Sequence, residues 1–137
     1  MKKLVAVLVI FLIGLSAKAQ NKREQIESAR IAFISQRLNL TPAQAEKFWP
    51  LYNEFSDRRQ DIRRTIKKTT LSSQDPTNKD DVLRANLYNT IALKQKEVDL
   101  EKEYLARFLL VISPRQVTEL QKAEKDFLKT MLDKLSD

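Results

Sequence analysis

The chain has 137 residues, and 25 lysines and arginines against 18 acidic residues give it a formal net charge of +7. It contains no histidine, no cysteine and a single glycine. This composition excludes disulfides, the usual nucleophile–base pairs of enzymes, the usual ligands of zinc or copper, and the glycine turns of phosphate-binding loops.

The first segment has the features of a secretory signal peptide. Two lysines precede an apolar run over residues 4–15, and Ala17 and Ala19 place small residues before a cleavage site. The run is too short to span a bilayer comfortably, which favours a cleaved signal over residues 1–19 rather than an uncleaved anchor. The segment holds three lysines and no acidic residue, so its removal lowers the formal charge from +7 to +4 for residues 20–137. We therefore predict export.

The chain after the signal predicts an all-α domain of four helices. The spacing of apolar residues predicts a first helix from about Lys22 to Leu38 and a second from Pro42 to about Leu71. Pro50 lies inside the second helix, where we expect a bend because proline removes one backbone hydrogen bond. The stripe of the second helix, at alternating steps of three and four residues, comprises Phe48, Tyr52, Phe55, Arg59, Ile62 and Ile66.

A loop and two further helices follow. Residues 72–78 are turn-forming types, and Thr77 or Asn78 is expected to cap the third helix, which ends near Val111. The fourth helix is predicted over residues 114–135. No alternating strand pattern is present, so the fold class is all-α.

A similar helix-opening phrase occurs twice, as Leu-Thr-Pro-Ala-Gln and Ile-Ser-Pro-Arg-Gln. In each copy a hydroxyl residue accepts from free backbone N–H groups, a proline takes the first helical position, and a glutamine reaches back to the cap. This is a capping box, and each one stabilises its helix end by about 1 kcal/mol. The motif positions are Leu40, Thr41 and Gln44 in the first copy and Ile112, Ser113 and Gln116 in the second.

The third helix carries an apolar arc over nearly half of its circumference. Lys94, Glu97 and Glu101 project from the middle of that arc. Charged groups are rarely buried without a partner, so the middle of the face is not expected to be a sealed core. Two explanations stay open. The charges pair with one another or with Arg59 of the second helix, or they line a shallow, partly wet surface that binds partners weakly.

Basic residues cluster over residues 58–68 and surround the second helix instead of forming one stripe. Such a run is either a solvated surface or a site for anionic lipid or an acidic, unfolded polypeptide. Nucleic acid is not expected, because no aromatic stacking platform lies beside the cluster. The candidate binding residues are Arg59, Ile62, Arg63, Ile66, Lys67, Lys94, Glu97 and Glu101.

The two capped helix starts resemble the paired LTxxQ motifs of the Spy/CpxP family of exported, all-helical proteins. The first copy matches at Leu40, Thr41 and Gln44, whereas the second has Ile112 and Ser113 and keeps the glutamine. The resemblance implies a bent, elongated helical hairpin that pairs into an antiparallel, cradle-shaped homodimer. It also implies an ATP-independent periplasmic chaperone, a holdase, that binds unfolded or aggregation-prone envelope proteins on a concave surface.

The resemblance leaves one rival open. Similar proteins are linked to sensing for extracytoplasmic-function sigma factors through a membrane anti-sigma protein, and such a regulator would use the same scaffold. Relatives that bind metals do so through histidines, which this chain lacks, so no metal or other cofactor is expected. Glu97 and Glu101 lie one turn apart, but no cleft is indicated, so no enzymatic activity is expected. Membrane contact is expected to be peripheral at most.

Overall fold

The structure is a computed structural model that describes the backbone of residues 2–136 and the side chains of residues 20–136. This part of the chain forms four α-helices and contains no β-strand, which confirms the all-α prediction. The helices are α1 (Lys2–Leu38), α2 (Pro42–Ser72), α3 (Asp80–Phe108) and α4 (Pro114–Ser136).

Helix α1 begins at Lys2 and not near Lys22. Leucine is a strong helix former, so the leucine-rich run before Lys22 is compatible with helix. The side chains of residues 1–19, and with them the predicted cleavage site, lie outside the described residues. Helix α1 ends at Leu38, and Asn39 follows with a positive φ of 48°. Asparagine tolerates this left-handed conformation better than most residues, so it ends the helix where no glycine is present.

The start of α3 differs from the prediction, which placed the cap at Thr77 or Asn78. Helix α3 is capped by Lys79, which makes no side-chain capping bond. Thr77 and Asn78 are not available because they hold the turn together. The backbone N–H and the hydroxyl of Thr77 donate to Asp75 Oδ1 at 2.9 and 2.7 Å, and Asn78 Nδ2 donates to the Ser72 carbonyl at 2.7 Å.

Residues 40–117 form one of two compact units, built on the α2–α3 hairpin. Its core is aromatic. The ring centroids of Phe48 and Phe108 lie 5.7 Å apart, those of Phe55 and Tyr104 lie 5.1 Å apart, and Tyr52 stacks on Phe48 at 5.5 Å. Each such pair contributes about 0.5–1.5 kcal/mol beyond the burial of area. The α2 stripe predicted from sequence therefore supplies this core.

Residues 1–39 and 118–137 form the other unit, in which α1 packs on α4. Phe33 and Phe127 lie 5.7 Å apart between ring centroids. Arg37 bridges the two helices, with its Nη2 atom 2.6 Å from Glu119 Oε1 and its Nη1 atom 3.1 Å from Asp126 Oδ2. Among residues 20–39 and 118–136, the buried apolar side chains are Ile34, Leu38, Leu120 and Ala123.

Candidate functional site

Both predicted capping boxes are present, and their glutamines contact each other. Thr41 Oγ1 accepts from the Gln44 N–H while Gln44 Oε1 accepts from the Thr41 N–H, each at 3.1 Å. Ser113 and Gln116 repeat this exchange at 3.2 and 2.9 Å. In addition, Gln44 Nε2 donates to Gln116 Oε1 and Gln116 Nε2 donates to Gln44 Oε1, both at 3.1 Å. The two motifs therefore join the starts of α2 and α4 through a reciprocal amide pair.

The remaining motif positions are apolar and lie just before each cap. Ile112 is buried and Leu40 is half-buried. An apolar residue before the N-cap fixes the direction in which the chain enters a helix. The motif residues thus have a structural role in this unit, and none of them forms the exposed surface described next.

Helix α3 has two apolar edges, of which one is buried and the other is exposed. One edge, here called the inner edge, comprises Leu100, Tyr104 and Phe108, and these side chains are buried against α2. The other, the outer edge, is exposed; Leu87, for example, retains 67% of its accessible surface, whereas Leu100 retains 4%. The outer edge consists of Leu87, Ile91, Val98 and Leu105 of α3 and of Leu109, the C-cap residue that follows the helix.

The outer edge runs along the greater part of α3. Ile91, Val98 and Leu105 follow one another at seven-residue intervals, which places them on one side of the helix. Solvent-exposed apolar groups are ordinary when they are scattered singly, whereas several of them on one side of a helix indicate an interaction surface. The outer edge is therefore the most conspicuous candidate binding surface of residues 20–136.

Charged side chains accompany this edge. Lys94 and Glu101 are exposed, stand on either side of Val98 in the sequence, and form no ion pair within residues 20–136. Glu97 lies closer to α2 and pairs with Arg63, which leaves the glutamate side chain only 17% exposed while the arginine is 57% exposed. The partner of Glu97 is thus Arg63 and not Arg59.

The candidate binding residues of the basic cluster on α2 do not all lie beside the outer edge. Arg59 lies over the ring of Phe55 at 4.6 Å, Ile62 is buried and Ile66 is half-buried. Lys67 is exposed. Of the eight candidate binding residues, Lys94 and Glu101 are the two that accompany the exposed apolar row.

One polar cluster was not predicted. Tyr104 donates to Glu54, and the Nη1 and Nη2 atoms of Arg107 donate to the same carboxylate at 3.3 and 3.2 Å. Arg107 and Arg58 also lie over the Tyr104 ring, at 4.5 and 5.5 Å from its centroid. The hydrogen bond from Arg107, followed by that from Tyr104, lowers the pKa of Glu54. Nothing in the sequence pairs these residues, because the cluster depends on how α2 and α3 align.

Within residues 20–136, no group of three or more acidic side chains comes together in a way that could hold a metal ion. No helix in the part of the chain described here is long and apolar enough to cross a bilayer.

Comparisons with known proteins give no relative. No protein-family model, no curated protein and no solved structure matches the chain. The chemistry of the surface itself is therefore the basis for a functional assignment. A row of exposed apolar groups with both charge signs beside it offers apolar contact and charge attraction, and no nucleophile, activated base or metal is needed for either.

Proposed function

We propose that this chain is an ATP-independent periplasmic chaperone of the Spy/CpxP type, a holdase that binds unfolded or aggregation-prone polypeptides. It acts by binding and not by catalysis. The observation that carries the proposal is the outer edge of α3, where exposed apolar side chains alternate with Lys94 and Glu101. An unfolded chain exposes the same kinds of groups, so charge attraction speeds its encounter and apolar contact holds it.

The proposed site is suited to many partners and not to one. Its apolar side chains stand in a row along one side of a helix, and the charges beside them have both signs. Binding energy then comes from burial of whatever apolar segment a client offers, at about 25 cal/mol per Å² of apolar surface. Because the side chains stay half exposed, each contact is weak, and a client is released without an energy source.

We also propose that two copies pair through the outer edge in antiparallel fashion when no client is bound. What supports this is the near-twofold symmetry of the edge about Val98. Ile91 and Leu105 lie seven residues to either side of it, and Leu87 and Leu109 lie eleven residues to either side. A twofold axis through Val98 therefore places apolar residues opposite apolar residues at these five positions.

Two opposite charges lie at nearly, though not exactly, symmetric distances from Val98. Lys94 precedes Val98 by one turn, and Glu101 follows it by about one turn. In the antiparallel pair, Lys94 of one protomer lies beside the partner's Glu101, and the reverse contact forms on the other side of the axis. A client and a second copy then exclude each other, so the dimer is the resting form of the chaperone.

An aggregation assay tests the chaperone proposal. The chain is purified after export and added, without nucleotide, to a chemically denatured client whose light scattering is followed. We expect suppression at stoichiometric amounts and a weaker effect at high salt, because salt screens the encounter. No suppression at several-fold excess would overturn the proposal. A pull-down that yields one stoichiometric membrane protein would indicate the rival function, an envelope-stress regulator acting with an anti-sigma protein.

A light-scattering mass measurement tests the pairing separately. We expect the mass of a dimer for the exported chain, a lower mass for Lys94→Glu, and recovery of the dimer in Lys94→Glu/Glu101→Lys. Addition of an unfolded client should lower the dimer fraction. A mass that the single charge reversal leaves unchanged would contradict pairing through this edge, even if the aggregation assay succeeds.

A further inference from the structure

Helix α4 carries a second exposed apolar row, which the proposed chaperone function does not use. Leu128, Leu132 and Leu135 are 60%, 55% and 73% exposed. Their spacing of four and three residues places them on one side of the helix, in its C-terminal half. The opposite side of α4 is occupied by contacts with α1, so this row faces away from the packing within its own unit.

Lysines flank this row. Lys122, Lys125 and Lys129 are exposed and follow at intervals of three and four residues. Among the described residues they have no ion-pair or hydrogen-bond partner. They lie beside the leucines because Lys125 is one turn from Leu128 and Lys129 is one turn from Leu132. We call these six residues the basic apolar face of α4.

The acidic residues of α4 do not neutralise this face. Glu119 and Asp126 bind Arg37 on the side of the helix that packs on α1. Glu124 also has a partner, and the exposed Asp133 is the remaining acid in this half of the helix. The face therefore has one predominant sign of charge, unlike the outer edge of α3.

We propose that the basic apolar face of α4 binds the surface of an anionic lipid bilayer. A helix with leucines on one face and lysines beside them lies in the bilayer interface, with the leucines in the acyl boundary and the ammonium groups at the lipid phosphates. The single charge sign disfavours a second copy of the chain on this face, because lysine would lie near lysine. An anionic surface satisfies both the apolar row and the lysines.

The consequence is a peripheral contact made by side chains other than those of the outer edge of α3. One short amphipathic segment gives reversible binding and not permanent anchoring, since stable attachment needs a second signal. The contact should therefore depend on lipid charge and on salt. It does not rest on the chaperone proposal, because it uses a different helix and different residues.

Vesicle sedimentation tests this proposal with the full chain purified after export. We expect binding to vesicles that contain phosphatidylglycerol, little binding to vesicles of phosphatidylcholine alone, and loss of binding at high salt. Lys125→Glu/Lys129→Glu should weaken binding to the anionic vesicles by about tenfold or more, because two attractive charges become repulsive. The matched control is Lys47→Glu/Lys79→Glu, which makes the same change of net charge at exposed positions elsewhere and should bind nearly as the unaltered chain does.

Leu128→Ser/Leu132→Ser tests the apolar contribution, and circular dichroism checks that the variant stays helical. We expect it to bind anionic vesicles several-fold more weakly, since the leucines no longer enter the acyl boundary. Equal binding to both kinds of vesicle, or equal effects of the two lysine pairs, would overturn the proposal. So would a change in the oligomeric mass of the leucine variant without lipid, because the face would then be a surface between copies of the chain.

Discussion

Gln44 and Gln116 each perform two tasks with one side chain. The Oε1 atom of each accepts from the backbone N–H of its own N-cap residue and from the amide of the other glutamine. A carbonyl oxygen has two lone pairs and can serve both donors. The hydrogen bond to the N-cap residue follows from the three-residue spacing of the hydroxyl residue and the glutamine, so the sequence predicted it. The contact between the two glutamines depends on how the starts of α2 and α4 meet, and local spacing contains no information about this packing.

A double-mutant cycle measures the amide pair. Gln44→Ala and Gln116→Ala should each lower the free energy of unfolding by about 1 kcal/mol, through loss of half a capping box and of the pair. The double variant should lose less than the sum, with a coupling energy of about 0.5–1 kcal/mol. Urea unfolding provides the values, and Gln121→Ala on the exposed surface of α4 is the control. Strict additivity would show that the glutamines act independently.

The Glu54 cluster gives the unfolding free energy a defined pH dependence. The pKa of Glu54 is lowered in the folded state, mainly by Arg107, so the carboxylate contributes stability above its ordinary pKa of about 4.3. That contribution decreases as the pH falls below this value, and it is lost below the folded-state pKa. In Glu54→Gln the acid-side decline of the unfolding free energy should be shallower than in the unaltered chain.

Urea titrations at several acidic pH values measure this decline. Glu46→Gln is the matched control, because Glu46 is an exposed glutamate of α2 outside the cluster. The interpretation fails if Glu54→Gln and Glu46→Gln change the acid-side slope equally.

At the scale of the element, α3 shows both what periodicity predicts and what it leaves open. The broad apolar arc was evident in the sequence, and so was the position of Lys94 and Glu101 within it. Periodicity alone does not say which edge packs on the neighbouring helix. Here the aromatic side chains Tyr104 and Phe108 take the inner edge, because they meet the aromatic residues of α2. The aliphatic outer edge is left exposed.

The same substitution on the two edges should therefore have different effects. Leu100→Ala removes a buried side chain and should lower the free energy of unfolding by about 2–5 kcal/mol, since a cavity remains. Leu87→Ala on the outer edge, at a protein concentration low enough to keep the chain monomeric, should change it by no more than about 0.5 kcal/mol. Both values come from urea unfolding of variants that share one helix and one chemical change. Similar losses at that concentration would mean that Leu87 packs within its own chain and is not available to a partner.

For the whole molecule, the structure contains the four predicted helices. The end of α1 at Leu38, the start of α2 at Pro42 and the start of α4 at Pro114 agree with the prediction, because caps and apolar spacing are local signals. The start of α3 was wrong because Asp75 and Ser72 engage the two residues expected to cap it. The choice of Arg63 over Arg59 as the partner of Glu97 also depended on the alignment of two helices. The exposed outer edge emerged only after the packing of α2 against α3 was known.

We propose that the outer edge of α3 binds unfolded clients, and an aggregation assay with paired variants measures this binding. Ile91→Ser/Val98→Ser removes two apolar groups from the outer edge, whereas Leu71→Ser/Leu110→Ser removes two exposed apolar groups elsewhere. We expect the control variant Leu71→Ser/Leu110→Ser to suppress client aggregation as the unaltered chain does. The edge variant should need about tenfold more protein, because two apolar contacts with the client are lost. Equal suppression by the edge variant and the control would contradict the account.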